Sequence, residues 1–179
     1  VTAGFQCPAT QMALPPGAID AGVVRARLRH PQRKERLMAL DSTGRAHWEG
    51  DLATGSGTTA LDSGAAAPME VTWKARSEEH AGLTSPEELI AAAHAACYSM
   101  AFSGRLGKAG ATSITLDTEA TATFVPGEGI TAIALTVRGA VEGISAEEFA
   151  DLAEDAKENC PVSQALKGNV PITLQASLA

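Results

Sequence analysis

Cys97 and Cys160 are the two residues of this 179-residue chain whose type and setting point most directly to chemistry. Cys97 sits in the middle of residues 89–104, a stretch without a formally charged side chain and with alanine at positions 91, 92, 93, 95, 96 and 101. Cys160 sits in Asn159-Cys160-Pro161-Val162-Ser163. There Pro161 reads as the first residue of a short helix ending at Gly168, which makes Cys160 its N-cap. Unpaired N–H groups and the helix dipole favour a thiolate at that position. A lone buried cysteine is ordinarily a small hydrophobe, and that is the plain reading of Cys97 taken by itself. The second cysteine changes the balance. The pair is too far apart in sequence for a CxxC motif, so any bond between them is tertiary. In a reducing compartment a standing disulfide is disfavoured and a transient, catalytic one is expected, which suggests a peroxidatic and a resolving cysteine.

Zinc is the competing chemistry, with Cys97 and His94 as ligands and His47 or His80 completing the set. No CxxC or HxxxH spacing supports it, and His94 reads better as a packed or hydrogen-bonded helix histidine. Cys7 lies in the N-terminal stretch and has no visible role.

The elements that must position these residues are legible from residue 43 onward. Residues 43–51, 58–62 and 69–75 read as three strands, the first two joined by the Gly-rich LATGSG. Residues 113–125 and 130–141 are two long strands around Pro126-Gly127-Glu128-Gly129, and 170–178 alternate as a last strand. Ser85-Pro86-Glu87-Glu88 is a capping box with Pro at N1, opening a helix that Gly110 can close, with Arg105 and Lys108 in its last turn. Ser145-Ala146-Glu147-Glu148 opens a second helix with the apolar stripe Phe149, Leu152, Ala153 and Ala156. Helices that interrupt antiparallel strand pairs predict an α+β fold. The first helix is apolar all round, while a single sheet covers one face only. A homodimer through its second face is therefore expected.

Composition excludes several function classes. At 45% apolar residues and 20% charged, the chain can bury a core without disulfide staples. No uncharged apolar run reaches the roughly 18 residues of a membrane span. Residues 1–37 carry Arg25, Arg27, Arg29, Arg33, Lys34 and Arg36 against Asp20 and Glu35, and the remainder is strongly acidic. An acidic body argues against nucleic acid as the partner, because phosphate contacts need clustered Lys and Arg. The basic stretch also lacks the apolar run of a secretory signal, so a cytoplasmic location is expected. Residues 1–37 are expected to be a basic, flexible or appended extension ahead of Met38, and residues 38–179 the folded domain.

Residues 84–97, TSPEELIAAAHAAC, resemble the signature helix of the OsmC/Ohr family, the osmotically inducible and organic-hydroperoxide-resistance proteins. Residues 159–166, NCPVSQAL, resemble that family's second-cysteine motif, and Arg45-Ala46-His47-Trp48-Glu49-Gly50 resembles its opening strand. The HAAC form together with CPVSQAL points to the OsmC branch, and the resemblance spans about 43–178. It implies antiparallel sheets wrapped around long central helices in an intertwined homodimer. It also implies a thiol peroxidase that reduces organic hydroperoxides in stress defence and is recycled by an external dithiol, without haem, flavin or metal. By similarity, Cys97 is the peroxidatic and Cys160 the resolving cysteine, Glu87 is the helix-start carboxylate, and an arginine completes the site. The Ohr branch takes this arginine from the first hairpin, whose connection Leu52–Gly57 has no basic residue here, and the OsmC branch takes it from the third strand. By that resemblance Arg76, at the end of MEVTWKAR, is the arginine, with Arg45 in reserve.

A thiol amid alanines has its pKa raised by desolvation, so a cation must offset that shift. Arg76 would stabilise the thiolate and hydrogen-bond the peroxide, with Glu87 orienting the guanidinium. Ten helical residues rise about 15 Å, which implies that Glu87 serves the Cys97 of a second, antiparallel copy. Leu89, Ile90, Met100 and Phe102 are candidate apolar walls for an alkyl hydroperoxide. The alternative is a non-enzymatic dimeric stress protein that holds a small ligand and has inert cysteines.

Overall fold

The computed structural model describes residues 39–179, and the extension expected over 1–37 lies outside them. Two three-stranded sheets and four helices make up the folded unit. Strands β1 (Gly44–Glu49), β2 (Ser56–Leu61) and β3 (Met69–Thr72) pair antiparallel in that order. The first hairpin closes between Glu49 and Ser56. Its turn is set by Asp51, whose carboxylate accepts the N–H groups of Ala53 and Thr54 at 2.9 Å each.

The strand expected over 69–75 stops at Thr72, and Trp73–Ser77 is a one-turn helix, α1. Thr72 makes the switch. Its hydroxyl accepts the Ala75 N–H at 3.1 Å and caps the turn, which outweighs the alternation of MEVTWKA. Arg76 therefore projects from a helical turn and not from a strand.

Helix α2 (Pro86–Lys108) begins where the sequence indicated. Ser85 Oγ accepts the Glu88 N–H at 3.1 Å, and Pro86 occupies N1. The Glu88 carboxylate, expected to reach back to the cap, instead accepts from the Thr84 hydroxyl at 2.6 Å. Thr84 in turn donates its N–H to Glu70 O at 3.2 Å, which fastens the start of α2 to β3.

The second sheet holds β4 (Ser113–Val125), β5 (Gly129–Glu142) and β6 (Ile172–Leu178) in that order. The long hairpin β4–β5 is antiparallel, whereas β6 runs parallel to β5. Helices α3 (Ala146–Asn159) and α4 (Pro161–Leu166) form the crossover that a parallel return requires. Helix α2 packs on β4 and α3, and the core fills with Tyr98, Phe102 and Leu106 from α2, Leu135 and Val137 from β5, and Phe149, Ala153 and Ala156 from α3. Gly139 leaves room for Phe149. A Cβ there would lie 2.5 Å from the ring, so any side chain at 139 would displace α3.

Among the described residues two surfaces are left uncovered. Every residue of β1 is exposed, Trp48 included, and Ala92, Ala93, Ala96 and Met100 form an open stripe along α2. Among the described residues no helix is long and apolar enough to cross a membrane.

Candidate redox site

The crossover brings the two cysteines together. Cys160 is the single residue between α3 and α4: its N–H bonds to Ala156 O at 2.8 Å, and its carbonyl receives the Gln164 N–H at 2.9 Å. That joint, anchored by the buried Phe149–Ala153–Ala156 stripe of α3, sets Cys160 against α2 with no exposed surface. Both thiols are free, Cys160 buried and Cys97 partly open. Cys97 is held in the proton-bearing state chiefly by burial. The neighbouring Cys160 thiol pushes its pKa further up, and the Val162 N–H hydrogen-bonds the Cys97 sulfur and pulls it down. The first turn of α4, expected to favour a thiolate on its own N-cap cysteine, thus turns an N–H toward Cys97 instead. The Cys160 side chain makes no cap hydrogen bond.

His94 lies one turn before Cys97 and is fully buried. Its Nε2 is 2.8 Å from the Ser163 hydroxyl, as expected for a hydrogen-bonded helix histidine. Its Nδ1 has no partner, and burial lowers the pKa of the ring. An unpaired buried N–H costs more than an unpaired lone pair, which assigns the proton to Nε2 with Ser163 Oγ as acceptor. Sequence reasoning missed Ser163. The signal available was a serine one turn after Cys160 facing a histidine one turn before Cys97.

Arg76 and Glu87 form a pair within one chain. Arg76 Nε donates to Glu87 Oε1 at 3.0 Å and to Oε2 at 3.1 Å, and Nη2 donates to Oε1 at 2.7 Å. The face of the guanidinium lies 4.2 Å from the Phe124 ring centroid, and Trp73 meets Phe124 edge to face. Glu87 is 5% exposed, and the guanidinium offsets the cost of burying its carboxylate. Nη1 makes no hydrogen bond among the described residues and is the free edge of the cation. Phe124 is the second residue that sequence reasoning missed, because it arrives from β4, dozens of positions away.

The structure does not bring this pair to Cys97 within one chain. Glu87 is ten residues up α2, a rise of about 15 Å. No cation figures among the groups acting on the Cys97 thiol. Arg45 is engaged elsewhere: Nη2 donates to Asp62 at 2.8 Å on the exposed first sheet. Of the candidate apolar walls, Phe102 belongs to the core and packs on Phe149 with ring centroids 4.8 Å apart, while Leu89 and Ile90 are half-buried and Met100 is exposed. The zinc set is not assembled. His47 is exposed and 3.3 Å from Glu49, His80 is on an exposed loop, and among the described residues no three His, Cys, Asp or Glu side chains converge.

Comparison with known proteins bears on the same residues. The sequence model of a family described as OsmC-like protein matches residues 79–175, which include Glu87, His94, Cys97, Phe124, Cys160 and Ser163. The chain is 44% identical over 141 residues to the Peroxiredoxin OsmC of Escherichia coli (strain K12), spanning 77% of this chain and 98% of that protein. It is 32% identical over 101 residues to the organic hydroperoxide resistance protein OhrA of Bacillus subtilis (strain 168), spanning 52% of this chain and 67% of that one. A solved structure of an organic hydroperoxide resistance protein OsmC from Legionella pneumophila superposes with a TM-score of 0.55 at 25% identity, covering 75% of this chain and 96% of that chain. With its α+β architecture, its adjacent thiols and these matches taken together, the chain belongs to the OsmC-like protein family.

Proposed function

We propose that this chain is a cysteine-based peroxidase that reduces organic hydroperoxides to alcohols in oxidative-stress defence. The observation that carries the reading is the adjacency of Cys97 and Cys160, which α4 brings together from distant parts of the sequence. The Cys97 thiolate attacks the outer peroxide oxygen. The O–O bond breaks, the alkoxide leaves as alcohol after protonation, and Cys97 becomes a sulfenic acid. The Cys160 sulfur then displaces hydroxide as water and closes a disulfide. An external dithiol takes up the oxidation by exchange, so the electrons balance without a bound cofactor. The free thiols suit a reducing cytoplasm.

The active unit is a homodimer. A raised thiol pKa needs a cation, and the one cation with a free edge and a rigid mount among the site residues is Arg76. Its partner Glu87 stands about 15 Å along α2 from the Cys97 of the same chain. An antiparallel second copy, packed on the exposed Ala92–Ala93–Ala96–Met100 stripe, carries its own Arg76 and Glu87 toward Cys97. It also covers the bare first sheet. The Nη1 edge then meets thiolate and peroxide.

Thiol titration against cumene hydroperoxide tests the chemistry. Stoichiometric, rapid loss of two thiols per chain is expected. Cys97→Ser abolishes it, and Cys160→Ser allows one oxidation without recycling. Thiols that survive equimolar hydroperoxide would leave a ligand-binding dimer with inert cysteines as the better reading.

A further inference from the structure

His94 and Ser163 lie one turn from Cys97 and Cys160 respectively, and their hydrogen bond repeats the contact between the sulfurs. Three residues forward along α2, from His94 to Cys97, correspond to three residues back along α4, from Ser163 to Cys160. The two cross-contacts are thus successive rungs of one antiparallel helix contact. Apart from the contacts at the Cys97 sulfur itself, from the Val162 N–H and the Cys160 thiol, no other side-chain hydrogen bond among the described residues joins α2 to α4. The six-residue α4 is too short to be stable alone, and Cys160 provides it no side-chain cap. Its place therefore depends on what grips it. Ser163 also borders a cavity of about 130 Å³, lined further by Lys157, Glu158, Lys167 and Ile172, into which a loosened α4 has room to move. Apolar packing tolerates sliding and rotation, whereas a buried 2.8 Å hydrogen bond does not.

Building on the proposed peroxidase reading, we infer that His94 and Ser163 are positioning residues for disulfide closure. Two reactions compete for the sulfenic acid. In one, Cys97–SOH and Cys160–SH give the Cys97–Cys160 disulfide and water: an S–S bond forms, the S–O bond breaks, and the thiol proton leaves with the hydroxyl. In the other, a second hydroperoxide converts Cys97–SOH to the sulfinic acid and is itself reduced to alcohol, which ends turnover. The His94–Ser163 bond fixes the register of α4 so that Cys160 arrives first. Neither residue touches the peroxide.

Two measurements on the full chain test this. Diamide closes the dithiol without any hydroperoxide, and its rate in wild type, Ser163→Ala, His94→Leu and His94→Gln reads positioning directly. Ser163→Ala and His94→Leu are expected to close between about ten- and a hundredfold more slowly. His94→Gln, whose amide nitrogen reaches the same place, recovers most of the rate. In the second measurement, mass spectrometry of Cys97 across a cumene hydroperoxide series is expected to show sulfinic acid at lower peroxide in the two disrupted variants, with the first oxidation step unchanged within about twofold. Ser163→Ala removes one oxygen and serves where His94→Leu fails to fold. Equal diamide rates and equal sulfinic fractions in folded Ser163→Ala and wild type would overturn the inference. A wild type that closes with diamide but ignores hydroperoxide would instead overturn the peroxidase reading.

Discussion

Arg76 presents its Nε–Nη2 edge to Glu87 at 2.7 to 3.1 Å and its flat face to Phe124 at 4.2 Å. Two of the guanidinium's five N–H groups, the Nε one shared between both carboxylate oxygens, and one of its faces are thereby committed inside one chain. The remaining edge points a fixed cation outward. A lysine has neither the fork nor the plane for this arrangement. Arg76→Lys is therefore expected to lower kcat/KM for cumene hydroperoxide by about a hundredfold or more, with Phe124→Leu milder and in the same direction. An Arg76→Lys enzyme of near wild-type kcat/KM would remove Arg76 from the site.

The same pair has a stability signature. Removing the arginine leaves a buried, uncompensated carboxylate, a change that costs about 3 to 5 kcal/mol in comparable buried pairs. Arg76→Ala is expected to unfold at clearly lower urea than the Arg76→Ala/Glu87→Gln double variant, because the amide relieves the stranded charge. Equal midpoints would show that solvent already compensates Glu87.

Where the arginine comes from can be read by complementation. Cys97→Ser and Arg76→Ala chains are each inactive. Mixed as heterodimers, they rebuild one site in two if the cation crosses between chains. Random mixing then restores about a quarter of wild-type activity. No recovery after exchange, with heterodimers verified by tag pull-down, would place cation and thiol on the same chain.

Burial and the Cys160 thiol push the Cys97 thiol up, against the pull of the Val162 N–H. The thiolate, and with it the alkylation rate, grows as pH rises through the Cys97 pKa. The iodoacetamide profile of Arg76→Ala is expected to be displaced toward higher pH than that of wild type. Cys160→Ala in the same background is expected to shift it back down. Superimposable profiles for wild type and Arg76→Ala would mean that no cation reaches the sulfur.

His94 titrates in the opposite sense. Its pKa is lowered in the folded chain by burial, so below about pH 6.5 the unfolded chain binds the extra proton first. Stability therefore rises with pH between the lowered folded value and the ordinary histidine value, by up to about 1.4 kcal/mol per pH unit. His94→Gln is expected to flatten this slope in urea melts from pH 5 to 7. An unchanged slope would assign the acid sensitivity to other groups.

Much of this was legible in the sequence because the decisive signals were local. Ser85 and Ser145 announce their helices three residues ahead of a glutamate, and both hydroxyls do take the expected N–H. The alternation in 113–125 and 130–141 names its own hairpin, and the structure only lengthens the second strand by one residue at each end. What escaped depends on distance. Period-two alternation in MEVTWKA is too short to outvote one threonine cap. Phe124 reaches Arg76 only after β4 has folded back over α1. The target of the Val162 N–H is a residue on another helix, so propensity at Cys160 could not reveal it. The parallel return of β6 follows from where α3 and α4 run, which no pattern within 170–178 encodes.

The span between Cys97 and Cys160 has a final consequence for durability. Closing a bridge across 60-odd residues, from the central helix to the α3–α4 joint, shrinks the unfolded ensemble by about 4 kcal/mol in the chain-entropy account. The spent form should thus outlast the fresh one on heating, and a cell flooded with oxidant would accumulate a hardier stock awaiting rejuvenation.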